Sequence, residues 1–346
     1  MSNSAAPMRR LEGVPHNTWY AVALSDEVGR APIGRVALGQ RVVVYRTGVG
    51  VVVALSDRCV HAPVALSEGS VDGDDIIAPY SGFRYAPNGQ VIAVPTQTNV
   101  PYGAHVHAYP VHDDGSFVWI WPGEPGLAAL RATPVTSCLR DPDQGTVGGQ
   151  WITQASLTLM QDNFADITHL PRVDSQISPP ALLTTPPPLA VQVTETSVSF
   201  SRDYPPARIA PWQATLLDLD PNATYAQREE GAFVSPGLWV DRWAITHGSG
   251  QANFTFTHAL TPVDERRTMH AWRATRNFAL GASGDGTVRP LLEQYYRRVK
   301  DILEGMQALI DEDGAATAQV RLSADAAGSQ VRRIMARLAS EEIGRA

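Results

Sequence analysis

The sequence predicts an α+β protein in two units: an all-β unit, then one in which strands give way to helices. Three observations predict it. Short runs of β-branched and aromatic residues, broken by Gly, Asp and Pro, fill Trp19 to about Gly123. The stretch Pro122-Gly123-Glu124-Pro125-Gly126 then acts as a stop. Towards the end, apolar residues recur at helical spacing. With 346 residues there is enough chain for two cores, and the division is placed at 1–130 and 131–346.

Within the first unit the clearest strands are Arg41-Val42-Val43-Val44-Tyr45, Val51-Val52-Val53-Ala54-Leu55 and Phe117-Val118-Trp119-Ile120-Trp121. In the second, Trp151 to Met160 alternates as a strand does and leads into a polar stretch, Asp162 to Asp174. Pro179-Pro180 and Pro186-Pro187-Pro188 mark loops, since proline continues neither ladder nor helix. Phe254 to Leu260 and Thr268 to Phe278 read as strands. From Arg289 to Asp311 the positions Leu292, Tyr295, Tyr296, Val299, Ile302, Leu303, Met306 and Ile310 define a helix, and a last helix covers Ala324 to Glu342.

Composition narrows the function. An apolar fraction of 44% and a charged fraction of 18% belong to a globular protein. No apolar run approaches bilayer length, and Met1-Ser2-Asn3-Ser4 lacks a basic-then-apolar leader, so the expectation is a cytoplasmic protein away from membranes. A net charge of -7 argues against nucleic acid as a partner. The expected partner is a small organic or aromatic substrate. Cys59 and Cys138 cannot make a disulfide framework. Lys300 is the only lysine, and the arginine bias fits a GC-rich bacterial genome.

Specific motifs stand on this background. Arg58-Cys59-Val60-His61-Ala62-Pro63, followed by Leu66-Ser67-Glu68-Gly69, carries the C-x-H half of a Rieske iron–sulfur site. The second half should read C-P-Y-H-G from residue 78, where Ala78-Pro79-Tyr80-Ser81-Gly82 stands instead. Trp19-Tyr20, Asn88-Gly89, Pro95, Tyr109-Pro110-Val111 and Gly115 to Gly123 continue the pattern. So do Asp162-Asn163-Phe164-Ala165-Asp166-Ile167-Thr168-His169-Leu170, Thr261-Pro262 and Arg276-Asn277-Phe278. Over nearly its whole length the chain resembles Rieske non-haem iron oxygenases of the vanillate O-demethylase and dicamba monooxygenase subgroup.

The resemblance implies a Rieske-like β domain and a helix-grip domain, in which a curved antiparallel sheet holds a long helix around a pocket. It also implies a homotrimer in which one subunit's cluster faces the next subunit's iron. In the family a 2-His-1-carboxylate site binds that iron. Its first His and the preceding Asp correspond to His169 and Asp166, while Asp174 stands where the second His belongs. The helix carboxylate falls at Val299 or Lys300, and only a shift brings in Asp301.

Cys59 and His61 are thus expected to be vestigial ligands, with no cofactor required. If a mononuclear metal does bind, Fe(II) or another divalent ion, its ligands would be His169, Asp174 and Asp301. His105, His107 and His112 are read as strand and turn residues, Trp212 and Trp272 as core. A Lys300 in the old carboxylate position could be a base, although a lone helix lysine is normally solvated. The predicted catalytic residues are His169, Asp166 and Asp174, with the Asp166 carboxylate raising the His169 pKa and fixing its tautomer, and Asp174 bonding or charging the imidazole.

Three functions follow from these expectations. The first is metal-independent, proton-mediated chemistry in small-molecule biosynthesis: cyclisation, isomerisation, elimination or hydrolysis. The second is a monooxygenase or demethylase with a variant iron site, fed by a separate Rieske electron-transfer partner. The third is a non-catalytic subunit of a mixed oxygenase trimer.

Overall fold

The computed structural model describes residues 10–134, 136, 141–248, 250–314, 320 and 322–344, so Cys138 lies outside the described residues. The first part consists of short strands: β1 (Tyr20–Leu24), β2 (Ile33–Ala37), β3 (Gln40–Arg46), β4 (Val52–Ser56) and β5 (Ser70–Asp72). They continue as β6 (Asp75–Ile77), β7 (Arg84–Tyr85), β8 (Val91–Ala93), β9 (Val111–Asp113) and β10 (Phe117–Ile120). The three runs singled out in the sequence are β3, β4 and β10. Three antiparallel sheets result, ordered β1-β10-β9, β2-β3-β4 and β5-β6-β7-β8.

Side-chain alternation along β3 and β4 builds two cores at once. Val42, Val44, Val52 and Ala54 pack with Tyr20, Val22, Val118 and Ile120. Their neighbours Val43, Tyr45, Val53 and Leu55 pack the opposite way, with Leu66, Ile76 and Tyr85. The Asn88-Gly89 turn demands glycine: φ is +82° and a Cβ would stand 2.2 Å from the Val106 carbonyl oxygen.

The second part opens with α1 (Pro125–Ala128), β11 (Gly145–Thr153), α2 (Leu157–Ala165) and α3 (Leu170–Val173). Next come β12 (Ala190–Val193), β13 (Val198–Ala207), α4 (Pro211–Leu217), β14 (Tyr225–Ser235) and β15 (Leu238–His247). It closes with β16 (Gly250–Pro262), β17 (Thr268–Arg276), α5 (Ala282–Asp313) and α6 (Ala326–Ile343). One antiparallel seven-stranded sheet, ordered β11-β17-β16-β15-β14-β13-β12, holds α5 against one face. The protein is therefore α+β, with a sheet-rich second part and C-terminal helices.

Two elements differ from the sequence reading. The strand expected over Trp151 to Met160 stops at Thr153, because the Ser156 side chain accepts the Leu159 N–H and starts α2. Helix α5 begins at Ala282 rather than Arg289, through residues of low helix propensity. A tertiary contact compensates: the guanidinium of the fully buried Arg276 lies 2.6 Å from Asp285.

Burial along α5 predicts an unequal response to truncation. Leu292 is 2% exposed and Ile302 is 43% exposed. Leu292→Ala should cost about 2–5 kcal/mol in urea unfolding, and Ile302→Ala should stay within about 0.5 kcal/mol. Equal losses would contradict the helix orientation.

Candidate functional site

The two hairpin tips that frame the cluster position still meet. Cys59 is buried, its Sγ 3.3 Å from Ser81 Oγ, and it accepts a hydrogen bond from Tyr85 at 3.2 Å. Burial pushes this thiol up, but hydrogen bonds from the Ala62 backbone, Ser81, Tyr85 and the His61 backbone outweigh it, and the net direction is down. The exposed His61 ring stacks on Phe83 at 5.2 Å. Ala78, 1% exposed, takes the second thiolate's place. Cys59 and His61 are two donors where a cluster takes four, so the residues present do not complete it.

The segment expected to hold iron is broken at Asp166. Helix α2 ends there in extended geometry, and the Asp166 carboxylate accepts from Thr168 N–H at 2.9 Å and Thr168 Oγ1–H at 3.0 Å. This local turn outcompetes the helix. Asp166 and His169 therefore do not share a helical face. His169 sits at the start of α3, with Nδ1 2.7 Å from the Asp166 carbonyl oxygen. That contact makes Nδ1 the protonated nitrogen and leaves Nε2 a free lone pair, buried and without a partner. Burial lowers the His169 pKa despite the upward pull of Asp166, the reverse of the expected shift.

Asp174 does not turn towards His169. Its carboxylate is 4% exposed and occupied, by Arg298 at 2.8 Å and by the Gln176 N–H at 3.0 Å. On α5, Val299 belongs to the core, Asp301 is exposed, and Lys300 pairs with Glu304 at 2.8 Å. Among the described residues no three His, Cys, Asp or Glu side chains converge as metal ligands. The orphaned Nε2 of His169 suits a metal, but Asp174 and Asp301 do not join it, so the residues present do not fit a complete iron site.

A pocket with room of about 100 Å³ lies between the sheet and α5. Sequence reasoning missed its polar wall. Along β15 the residues Trp239, Asp241 and Trp243 alternate onto this face, as do Phe254, Phe256 and His258 on β16, where Trp239 pairs with His258 and Asp241 with Phe256. The signal lay in that period-two pattern, but the strand pairing that brings Asp241 beside His258 is not legible in one strand. Tyr295 and Tyr296 of α5 close the opposite side.

Asp241, its side chain 16% exposed, accepts from Trp239 Nε1–H at 2.7 Å. Burial raises its carboxyl to about 8. His258 Nε2 is 3.5 Å away and His258 Nδ1 lies 2.9 Å from His270 Nε2. Burial drops His258 to about 3 and His270 well below the usual range, so both are neutral. Of the other lining carboxyls, Glu229 is also raised by burial but accepts from Tyr204 at 2.6 Å and Arg202 at 3.2 Å, and Glu230 pairs with Arg242 at 3.4 Å. Neither His169 nor Asp166 nor Asp174 lines this cavity.

Comparison with known proteins places the chain. Residues 153–341 match the vanillate O-demethylase oxygenase C-terminal domain family, and residues 18–110 match the Rieske [2Fe-2S] domain. The chain belongs to the family of Rieske-type vanillate O-demethylase oxygenases. The dicamba O-demethylase oxygenase component of Stenotrophomonas maltophilia is 28% identical over 93% of this chain and 97% of its own. A vanillate O-demethylase oxygenase subunit from Pseudomonas sp. is 26% identical, over 95% and 96%. A crystal structure of dicamba monooxygenase bound to 3,6-dichlorosalicylic acid superposes with TM-score 0.88 at 26% identity, covering 95% of this chain and 99% of that one.

These relationships overturn the expectation that no cofactor is required. The Rieske match is to a [2Fe-2S] domain, and a dicamba monooxygenase structure similar to this chain (TM-score 0.83, 26% identity, covering 96% and 99%) contains non-haem iron. Metal-independent biosynthesis draws no support from relatives that are demethylase oxygenase components, and the demethylase and monooxygenase reading is favoured over it. Among the described residues no helix is long and apolar enough to cross a membrane.

Two outcomes follow. If the hairpins keep their approach, the Ala78→Cys/Ser81→His protein should take up more iron and sulfide than its parent after anaerobic reconstitution; equal uptake would show that the tips have moved. Asp241, raised when folded, contributes stability that is fully present below its unfolded pKa and lost as pH rises through about 8. The parent's melting temperature should therefore fall between about pH 6.5 and 8.5, and Asp241→Asn, which cannot titrate, should flatten that fall. An unchanged slope in the variant would contradict the assignment.

Proposed function

We propose, with membership of that family as the premise, that this chain is an oxygenase component of the monooxygenase and demethylase class that takes a small aromatic molecule into the cavity beneath α5. The carrying observation is the cavity itself, walled by aromatic rings such as Phe164, Trp243, Phe256 and Tyr296 with few polar groups among them. Such walls bury an aromatic ring and exclude water, leaving Asp241, His258 and Glu229 to orient it. Relatives named for O-demethylation of dicamba and of vanillate support the substrate class.

What this chain itself supplies is binding and orientation. It retains two of four cluster donors and one of three iron donors, so its electrons are assigned to a separate Rieske protein and its redox groups to completion from outside the chain. A mixed trimer with an active oxygenase is the assembly in which a neighbouring subunit supplies the cluster; a homotrimer repeats the same donor set three times and leaves that role to the separate protein.

The test is formaldehyde release from methoxybenzenes in air by the purified protein with added Fe(II), a Rieske ferredoxin and its reductase. Release that needs the external donor, and is lost in His169→Ala, is the expected result. Conversion of the same compounds under argon, without added iron or donor, would overturn it in favour of proton-transfer chemistry.

A further inference from the structure

Among the carboxyls on the sheet's inner face, Asp241 is distinguished by what it lacks. Glu229 beside it is bound by Arg202 at 3.2 Å and by Tyr204. Glu230 and Arg242 also line the cavity, but they pair with each other at 3.4 Å. Asp241 has the Trp239 indole N–H as its short contact and a neutral histidine at 3.5 Å. Among the described residues no guanidinium or ammonium pairs with it. Its side chain is nonetheless reached from the cavity, and the rings of Trp243, Phe254, Phe256, Tyr295 and Tyr296 share that cavity.

We propose that the cavity selects an aromatic molecule carrying a positive charge, a protonated amine that sits against Asp241, and rejects an aromatic carboxylate. The inference rests on the aromatic-binding reading above and narrows it. An ammonium group supplies the counter-ion that the fold omits, and the surrounding ring faces attract a cation in a site that excludes water. A carboxylate would be desolvated there with no free cation to meet it, because the lining guanidinium of Arg242 is engaged by Glu230 and Asn253, and with a single hydrogen bond to accept from the protonated Asp241.

Burial keeps Asp241 protonated at neutral pH in the empty cavity. An arriving ammonium therefore displaces that proton to solvent: the carboxylic acid O–H breaks, the carboxylate pairs with the ammonium, and one proton leaves. The other titratable groups around the cavity are Glu229 and Glu230 on β14, Arg242 on β15, His258 on β16, His270 on β17, and Tyr295 and Tyr296 on α5. Glu229 is held by Arg202 and Tyr204, both histidines are already neutral and both tyrosines are raised, so Asp241 is the group that releases the proton.

The experiment is calorimetric titration of the full chain at pH 7 with three ligands that share one ring: meta-methoxybenzylamine, meta-methoxybenzyl alcohol and meta-methoxybenzoate. The amine should bind at least about tenfold tighter than the alcohol, with the benzoate weakest, a span that charge pairing in a desolvated site readily supplies. Asp241→Asn should remove the amine's advantage. Alcohol or benzoate binding as tightly as the amine, or an amine preference that survives in Asp241→Asn, would overturn the charge selection while leaving aromatic binding intact. Failure of all three to bind would overturn both.

Discussion

The grip of the seven-stranded sheet on α5 is the constraint on which the other features depend. Because strand residues alternate between faces, β15, β16 and β17 must satisfy two partners at once. Trp239, His258 and Trp272 turn to α5, where Tyr296 packs on Trp272 at 4.9 Å and on His258 at 5.8 Å. Their neighbours Leu238, Ala259 and Ala271 turn the other way, against Trp19, Trp119 and Trp121 of the first part. The same three strands thus anchor the small sheets, position the helix and line the cavity. A register slip of one residue would exchange the two sets and lose all three.

Charge placement follows from this packing. Carboxylates taken from water need a counter-charge or a proton. Asp174 has Arg298 and Glu229 has Arg202, whereas Asp241 keeps its proton. The α2–α3 turn follows the same rule. His169 is fixed with Nδ1 towards the Asp166 carbonyl and Nε2 buried without a partner, while Arg298 occupies the Asp174 carboxylate. The carboxyls and the imidazole that face the cavity stand on the sheet and not on the α2–α3 turn.

Much of the fold was legible because it is written in local patterns. The β3, β4 and β10 runs, the strands around Phe254 and Thr268, and both terminal helices announced themselves by periodicity, and family motifs supplied the architecture. What escaped depended on distant contacts. The early turns of α5 are poor helix formers anchored by Arg276, and the end of β11 is set by a cap on Ser156. The break at Asp166 arises from a side chain that bonds its own turn. The cavity's polar wall was hidden for the same reason: Asp241 and His258 are neighbours only through the β15–β16 pairing, and sequence spacing pointed instead to His169, Asp166 and Asp174.

The central claim is that the substrate lies between the sheet and α5 and is oriented by Asp241. A crystal structure of the protein soaked with meta-methoxybenzylamine tests it most directly. The account predicts density for the ring between Phe256 and Tyr296, with the nitrogen about 3 Å from an Asp241 carboxylate oxygen. Density outside this cavity, or a ring bound in it with the nitrogen turned away from Asp241, would contradict it.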